Sequence, residues 1–256
     1  MLKDERQDRI MQYLYQKGKI AVPELCTLLN VSPATIRRDL KELVSKELVK
    51  RTHGGIVLPD SVKLDIPVIQ RRHFQTEEKS RIGKAAAKLI QDEETIFLGS
   101  GSTVLEVAEN LKGKKNLTII TNSLPIINLL GQNSNIKLIS TGGFLRQSEL
   151  SLIGHLVETA LSELRADKVV MSIQGIHLQH GLTNNDLAET MTDRAICHFS
   201  PNIILVADHT KLQKTKASFV AELSAIRTLV TDRNASADFL KELEDMGIEI
   251  IIAENE

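Results

Sequence analysis

Between residues 6 and 16 the apolar positions Ile10, Tyr13 and Leu14 recur at helical spacing and Gly18 follows as a stop, which predicts a first helix. Pro23 opens a shorter helical segment, 23–29, whose Leu25, Leu28 and Leu29 share a face and whose C-terminal residue is Asn30. A tight turn at Asn30-Val31 leads to Ser32, placed to cap a third helix over 33–46. Pro33 fits its first position, and Ile36, Leu40, Leu43 and Val44 supply its inward stripe. Residues 48–52 then read as a strand, His53-Gly54-Gly55 as a turn and Ile56-Val57 as the returning strand.

The pattern changes after this module. Residues 59–76 contain Pro59 and Pro67 and little helical periodicity, so they predict a linker between a domain at 1–58 and one at 77–256, with the cut between about 60 and 75. Beyond it, helical and strand patterns alternate: helix 79–90, strand 95–98, helix 103–111, strand 117–121, helix 124–130 and strand 137–140. Later strands are expected at 168–173, 203–207, 229–231 and 248–252. Alternation of this kind predicts a mainly parallel sheet in an open α/β layer. The fold class is therefore α/β, with an N-terminal winged helix-turn-helix and a larger C-terminal α/β domain.

Composition refines this picture at three points. The 256 residues are 42% hydrophobic and 25% charged, ordinary for a folded chain of two domains. The formal net charge of −1 hides an asymmetry, because residues 1–57 hold eleven Lys and Arg against seven Asp and Glu. A basic module on an acidic body is one appearance of a nucleic-acid binder. Cys26 and Cys197 lie far apart within apolar patterns and read as buried thiols. The charged N-terminus and the lack of any apolar run near 18 residues predict a cytoplasmic protein with neither signal peptide nor membrane span.

Two helices joined by a tight turn, the second opening on small polar residues and then arginines, have the geometry to enter a major groove. The candidate DNA contacts are Ser32, Ala34, Thr35, Arg37, Arg38 and Lys41 on that helix, with Lys50, Arg51 and His53 on the wing. The first turn aims Ala34 and Thr35 at base edges. Arg37, Arg38 and Lys41 are able to reach bases or phosphates, with Lys41 the better fit to phosphate.

In parallel sheets ligands collect where strands end at their carboxyl side. Gly99-Ser100-Gly101-Ser102-Thr103 joins a strand to a helix start, where backbone N–H groups, hydroxyls and the helix dipole favour a phosphate. Other strand ends bring Asn122-Ser123, Gly142-Gly143 with Arg146, Gln174, and Asp208 with Lys211, groups suited to pairing with phosphate or binding sugar hydroxyls. The loop is neither a Walker motif nor a complete GxGxxG, since Val104 stands in the last glycine position. His177 and His180 have a ligand-like spacing but no third partner, so no metal is expected, nor any other cofactor.

The run VSPATIRRDLKELVSKELVKRTHGG, residues 31–55, resembles the DNA-binding signature of the DeoR family of bacterial regulators. The resemblance continues through LGSGST, LTIITNS, ISTGGFLR, SLIGH, GLTNND and VADHTK. It implies a second domain similar in fold to ribose-5-phosphate isomerase, binding a phosphorylated sugar or sugar alcohol. The effector residues implied by position are Ser100, Gly101, Ser102, Thr103, Asn122, Gly143, Arg146, Glu189 and Lys211. Two departures stand out: Ser172-Ile173-Gln174-Gly175-Ile176-His177 lacks two acids common in the family, and Asp193 occupies the place of a common lysine.

The competing class is a sugar-phosphate isomerase. An isomerase needs a carboxylate as general base, whereas Gln174 presents an amide at the strand end where related isomerases bring acids. Asp186, Glu189, Asp193 and Asp208 remain as substitutes. The expected protein is a repressor of a carbohydrate-utilisation operon, with double-stranded operator DNA and a sugar phosphate as partners. Paired half-sites further predict a homo-oligomer, dimer or tetramer.

Overall fold

The structure, a computed structural model, describes residues 2–46, 48–59 and 66–254. The chain divides into two compact units, residues 1–66 and 67–256.

In the first unit α1 (Lys3–Lys17) ends at Gly18, whose left-handed backbone lets its N–H donate to the Leu14 carbonyl. After β1 (Lys19–Ala21) comes α2 (Val22–Leu29), with Asn30 left-handed at its end. In α3 (Pro33–Ser45) the Ser32 hydroxyl accepts from the Thr35 N–H, as the sequence predicted. β2 (Lys50–Thr52) and β3 (Gly55–Val57) form the wing, shorter at its start than the expected 48–52.

β1 was not anticipated: it pairs antiparallel with β3 in a sheet of order β1-β3-β2. Only Ile20 of its three residues faces inward, too short an alternation to read from sequence. The pairing explains Gly55, since a Cβ there would lie 2.3 Å from the Ile20 carbonyl oxygen. Ile10, Leu14, Leu25, Ile36, Leu40, Leu43 and Ile56 fill the core. One polar link crosses it: Arg6 of α1 grips the buried Asp39 of α3 through Nε (2.5 Å) and Nη2 (3.1 Å).

The second unit begins inside the expected linker. α4 (Val68–Arg71) and α5 (Thr76–Lys88) open it, and the Val68 N–H donates to the Ser148 carbonyl at 2.7 Å, so 67–76 is folded structure. There follow β4 (Thr95–Leu98), α6 (Ser102–Glu109), β5 (Leu117–Thr121), α7 (Leu124–Leu130), β6 (Ile136–Ser140) and the hairpin of β7 (Phe144–Arg146) with β8 (Ser151–Ile153). The chain continues with α8 (His155–Glu163), β9 (Lys168–Met171), β10 (Gly175–His177), β11 (Gly181–Asn184) and α9 (Leu187–Phe199). It ends with β12 (Ile203–Val206), β13 (Ser218–Ala221), β14 (Thr228–Asp232), α10 (Ala237–Asp245) and β15 (Glu249–Ala253).

Seven strands form one parallel sheet, in the order β15-β14-β12-β9-β4-β5-β6. Both faces are covered: Phe97, Val169, Met171 and Leu205 enter one core, Ile96, Leu98, Val170, Ile204 and Val206 the other. Successive residues point to opposite faces, which is why these strands read as unbroken apolar runs. A smaller antiparallel sheet, β10-β11-β13, and the β7–β8 hairpin sit outside this layer. Cys26 and Cys197 are half-buried rather than buried. Among the described residues, no helix is long and apolar enough to cross a membrane.

Candidate functional site

On the first unit the inward stripe of α3 leaves Ser32, Ala34, Arg37, Arg38 and Lys41 exposed, Thr35 half-buried, and Lys50, Arg51 and His53 exposed on the wing. Arg51 reaches back to the Arg37 carbonyl at 3.5 Å, so wing and helix present one basic surface. A cavity of about 620 Å³ lies between them, lined in part by Pro33, Arg37, Arg51 and Gly54.

On the second unit the strand order locates the cleft. From β4 the chain moves outward through β5 and β6, then returns to add β9 on the other side of β4. The loops after β4 and β9 therefore diverge and open a crevice at the carboxyl edge. Gly99 through Thr103 follows β4, and the Gly99 N–H donates to the Val170 carbonyl (2.9 Å). Gly101 has φ +119°, and a Cβ on it would lie 2.3 Å from Ser172 Oγ, the hydroxyl that donates to the Ser100 carbonyl. Gly101 is also the N-cap of α6 and brings no side chain of its own to the first-turn amides.

At the end of β5, Asn122 Nδ2 donates to the Leu152 carbonyl (3.0 Å), while its buried Oδ1 has no hydrogen-bond partner. Gly143 follows β6 at φ +126°, pressed against the Ile153 backbone and Val157. Gln174 locks its own loop: its N–H donates to Asn184 Oδ1 (3.2 Å) and its Oε1 accepts from the Asn185 N–H (3.2 Å).

Arg146 sits otherwise than expected. Instead of standing ready for a phosphate it lies among acids, 3.5 Å from Glu149, 3.6 Å from Asp186 and 3.6 Å from Glu189. Glu149 also pairs with Arg71 of α4. One helical turn beyond Glu189, the buried Asp193 accepts from Asn184 Nδ2 at 2.6 Å. Burial pushes the Asp193 carboxyl up to about 7, and burial with the nearby Asp193 and Glu149 charges drives Glu189 well above the usual carboxylate range.

Lys211, in the short helical turn His209–Lys211 after β12, is pulled below the ordinary lysine range by burial, with Asp208 opposing. The same Asp208 faces Lys79, which burial lowers to about 8 and whose ammonium donates to the Arg71 carbonyl. Residues 79 and 211 thus form a partly dehydrated cationic cluster around Asp208, suited to a dianion. Arg71, Lys79 and Glu149 were absent from the sequence expectations. Lys79 left one signal there, because it shares the stripe of Ile82, Gly83 and Ala86 that α5 buries.

His177 and His180 stack at 4.7 Å. Among the described residues no group of three or more His, Cys, Asp or Glu is arranged to hold a metal.

Two family profiles match the chain, the DeoR-like helix-turn-helix domain over residues 6–62 and the DeoR C terminal sensor domain over 74–233. The chain belongs to the DeoR family. The HTH-type transcriptional regulator GolR of Listeria innocua is 35% identical over 98% of both chains. The glycerol-3-phosphate regulon repressor of Escherichia coli is 34% identical over 98% of this chain and 99% of its own. GlcR, a transcriptional repressor of Bacillus subtilis, is 33% identical over 100% and 98%. Ribose-5-phosphate isomerase from Methanocaldococcus jannaschii is similar to 54% of the chain and 56% of its own at 19% identity, TM-score 0.40. This DeoR chain is a DNA-binding transcriptional regulator and not an enzyme.

Proposed function

We propose that the protein represses a carbohydrate-utilisation operon and that a phosphorylated sugar or sugar alcohol, bound where β4 and β9 end, sets its grip on operator DNA. The observation that carries this reading is the Gly99–Thr103 loop, with its glycine-only backbone at Gly101, in the same unit as Lys79 and Lys211, two lysines that gather on Asp208. Helix-start amides and hydroxyls receive the phosphate and the two lysines neutralise it, while Asn122 and the acids around Arg146 meet the sugar hydroxyls. The E. coli relative's own name ties it to a glycerol-3-phosphate regulon. The amide of Gln174, held at both ends by the loop, lends no support to an isomerase base.

Such a ligand acts by preferring one arrangement of the protein and shifting the population toward it. That coupling works on paired DNA-binding heads, so the protein acts in the cytoplasm as a homo-oligomer. Support for association comes from the apolar side chains left in solvent by neighbouring elements of the second unit: Phe144 (72% exposed), Leu156 (56%), Leu187 (64%) and Met191 (48%). The test is a titration of the purified protein on its own upstream DNA at fixed salt, with and without a panel of sugar phosphates. Release or tightening by one compound supports the reading, and specific binding indifferent to every compound rejects the effector half of it.

A further inference from the structure

The two units differ in where they leave large apolar side chains in solvent. Among the described residues the first exposes Leu2 at the chain start and Leu28 on α2, far apart in sequence. The second gathers five on neighbouring elements: Phe144 of β7, Leu156 of α8, Leu187 and Met191 of α9, and Phe219 of β13.

Helix α9 links them. On one flank the Gly154 N–H, at the start of α8, donates to Thr192 Oγ1 (3.0 Å), and Phe144 packs on the same glycine, whose Cβ would lie 3.4 Å from the ring. On the other flank Arg194 spans Met191 and Phe219. Its Nη1 lies 3.6 Å from Met191 Sδ, and its Nε and Nη2 donate to the Phe219 carbonyl at 3.1 and 2.6 Å. Leu187 and Met191 stand one turn apart and share a face of α9, while Glu189 and Asp193, each two positions further on, turn inward.

At roughly 200 Å² for a free side chain of this size, the five exposures amount to about 550 Å² of apolar surface. One partner of a standard interface buries about 800 Å², so this surface supplies the core of one. Two Phe, two Leu and one Met, with Arg194 among them already bonded to a backbone carbonyl, make the composition of a homodimer core.

Resting on the homo-oligomer reading above, we propose that this face of α9, flanked by Phe144, Leu156 and Phe219, is where a second copy of the chain docks, the two α9 helices packing across a two-fold axis. Such a contact sets the same patch against itself, so apolar surface meets apolar surface on both copies. Because α9 packs on both α8 and β13, Leu187 and Met191 fall at the centre, where loss of a side chain weakens association most. The Arg194 bond takes a carbonyl of β13, an edge strand, so the copies join through side chains and not by adding a strand.

The experiment is sedimentation equilibrium of the full-length protein and of variants on this surface. Wild type sediments as a dimer or a multiple of one. Leu187→Glu with Met191→Glu halves that assembly at concentrations up to about a hundredfold above the wild-type midpoint, the loss expected for charges at an interface centre. Both side chains are exposed on the separate chain, so the variant keeps its wild-type helical circular dichroism. Phe144→Ser on the flank weakens association by about tenfold. Met246→Glu, which replaces a residue 53% exposed just after α10, leaves it unchanged. Association of the α9 variant as tight as wild type, or equal weakening by Met246→Glu, overturns the α9 surface and leaves the oligomer reading standing. A monomeric wild type overturns both.

Discussion

Asp39→Ala tests what holds the recognition helix in place. The carboxylate of Asp39 is 2% exposed and takes two N–H groups of Arg6, 13% exposed, so α1 and α3 are joined by a bidentate pair within the first unit. Breaking a buried pair from one side costs about 3–5 kcal/mol, because the remaining charge loses its partner. Arg6 keeps an edge in water, which places the cost nearer 2–3 kcal/mol. At about 0.05–0.15 kcal/mol per residue, a unit of this size holds only about 3–10 kcal/mol in total. With about 4–8 °C lost per kcal/mol in so small a unit, its melting point falls by roughly 8–24 °C. Differential scanning calorimetry of the full-length protein reads this as movement of the transition of unit 1–66 while the other stays. The double replacement Arg6→Met with Asp39→Leu recovers most of the loss, since a matched apolar pair leaves no orphan charge. A shift under about 4 °C, or equal movement of both transitions, refutes the reasoning.

Three further outcomes follow from the second unit and the basic helix. Gly101→Ala forces a side chain into φ +119° and against Ser172 Oγ, costing about 1–3 kcal/mol in the melting of the second unit and abolishing the effector response; adding Ser172→Ala, which removes the clash along with the hydroxyl's bond to the Ser100 carbonyl, restores part of the stability. Asp193 titrates near 7 when folded and near 4 when unfolded, so between those values the folded state holds a proton the unfolded state has released, and stability falls as pH rises. Asp193→Asn flattens that stretch and raises the melting point near pH 8, and an unchanged pH profile contradicts the assignment. Arg37→Ala weakens operator binding in a gel-shift titration without altering ligand affinity, and Lys211→Ala does the reverse; crossed effects reject the division of labour.

What the sequence disclosed depended on how locally each feature was encoded. The strands Thr95–Leu98 and Leu117–Thr121 were legible to the residue, because each is an apolar run bounded by a Gly or Asn that also opens the next loop. By contrast, β1 and β11 are three or four residues long and partly polar, and they exist through pairing with distant partners such as Gly55 and Ala221. In the cleft, residues beside glycine loops were named in advance, whereas Arg71 and Glu149 lie 78 positions apart and meet only in the fold. Expecting 59–76 to be an open linker hid Arg71 altogether. Arg146 was found, but its surroundings were not, because the acids around it come from a loop and a helix that no local pattern connects.

The fastening of α4 ties this concealed arginine to two separate charged clusters. Arg71 follows the junction between the two units by only a few residues, its carbonyl held by Lys79 and its guanidinium by Glu149. One anchor belongs to the cationic cluster around Asp208 and the other to the acids around Arg146. An occupant that draws on either must loosen a bond that fastens α4.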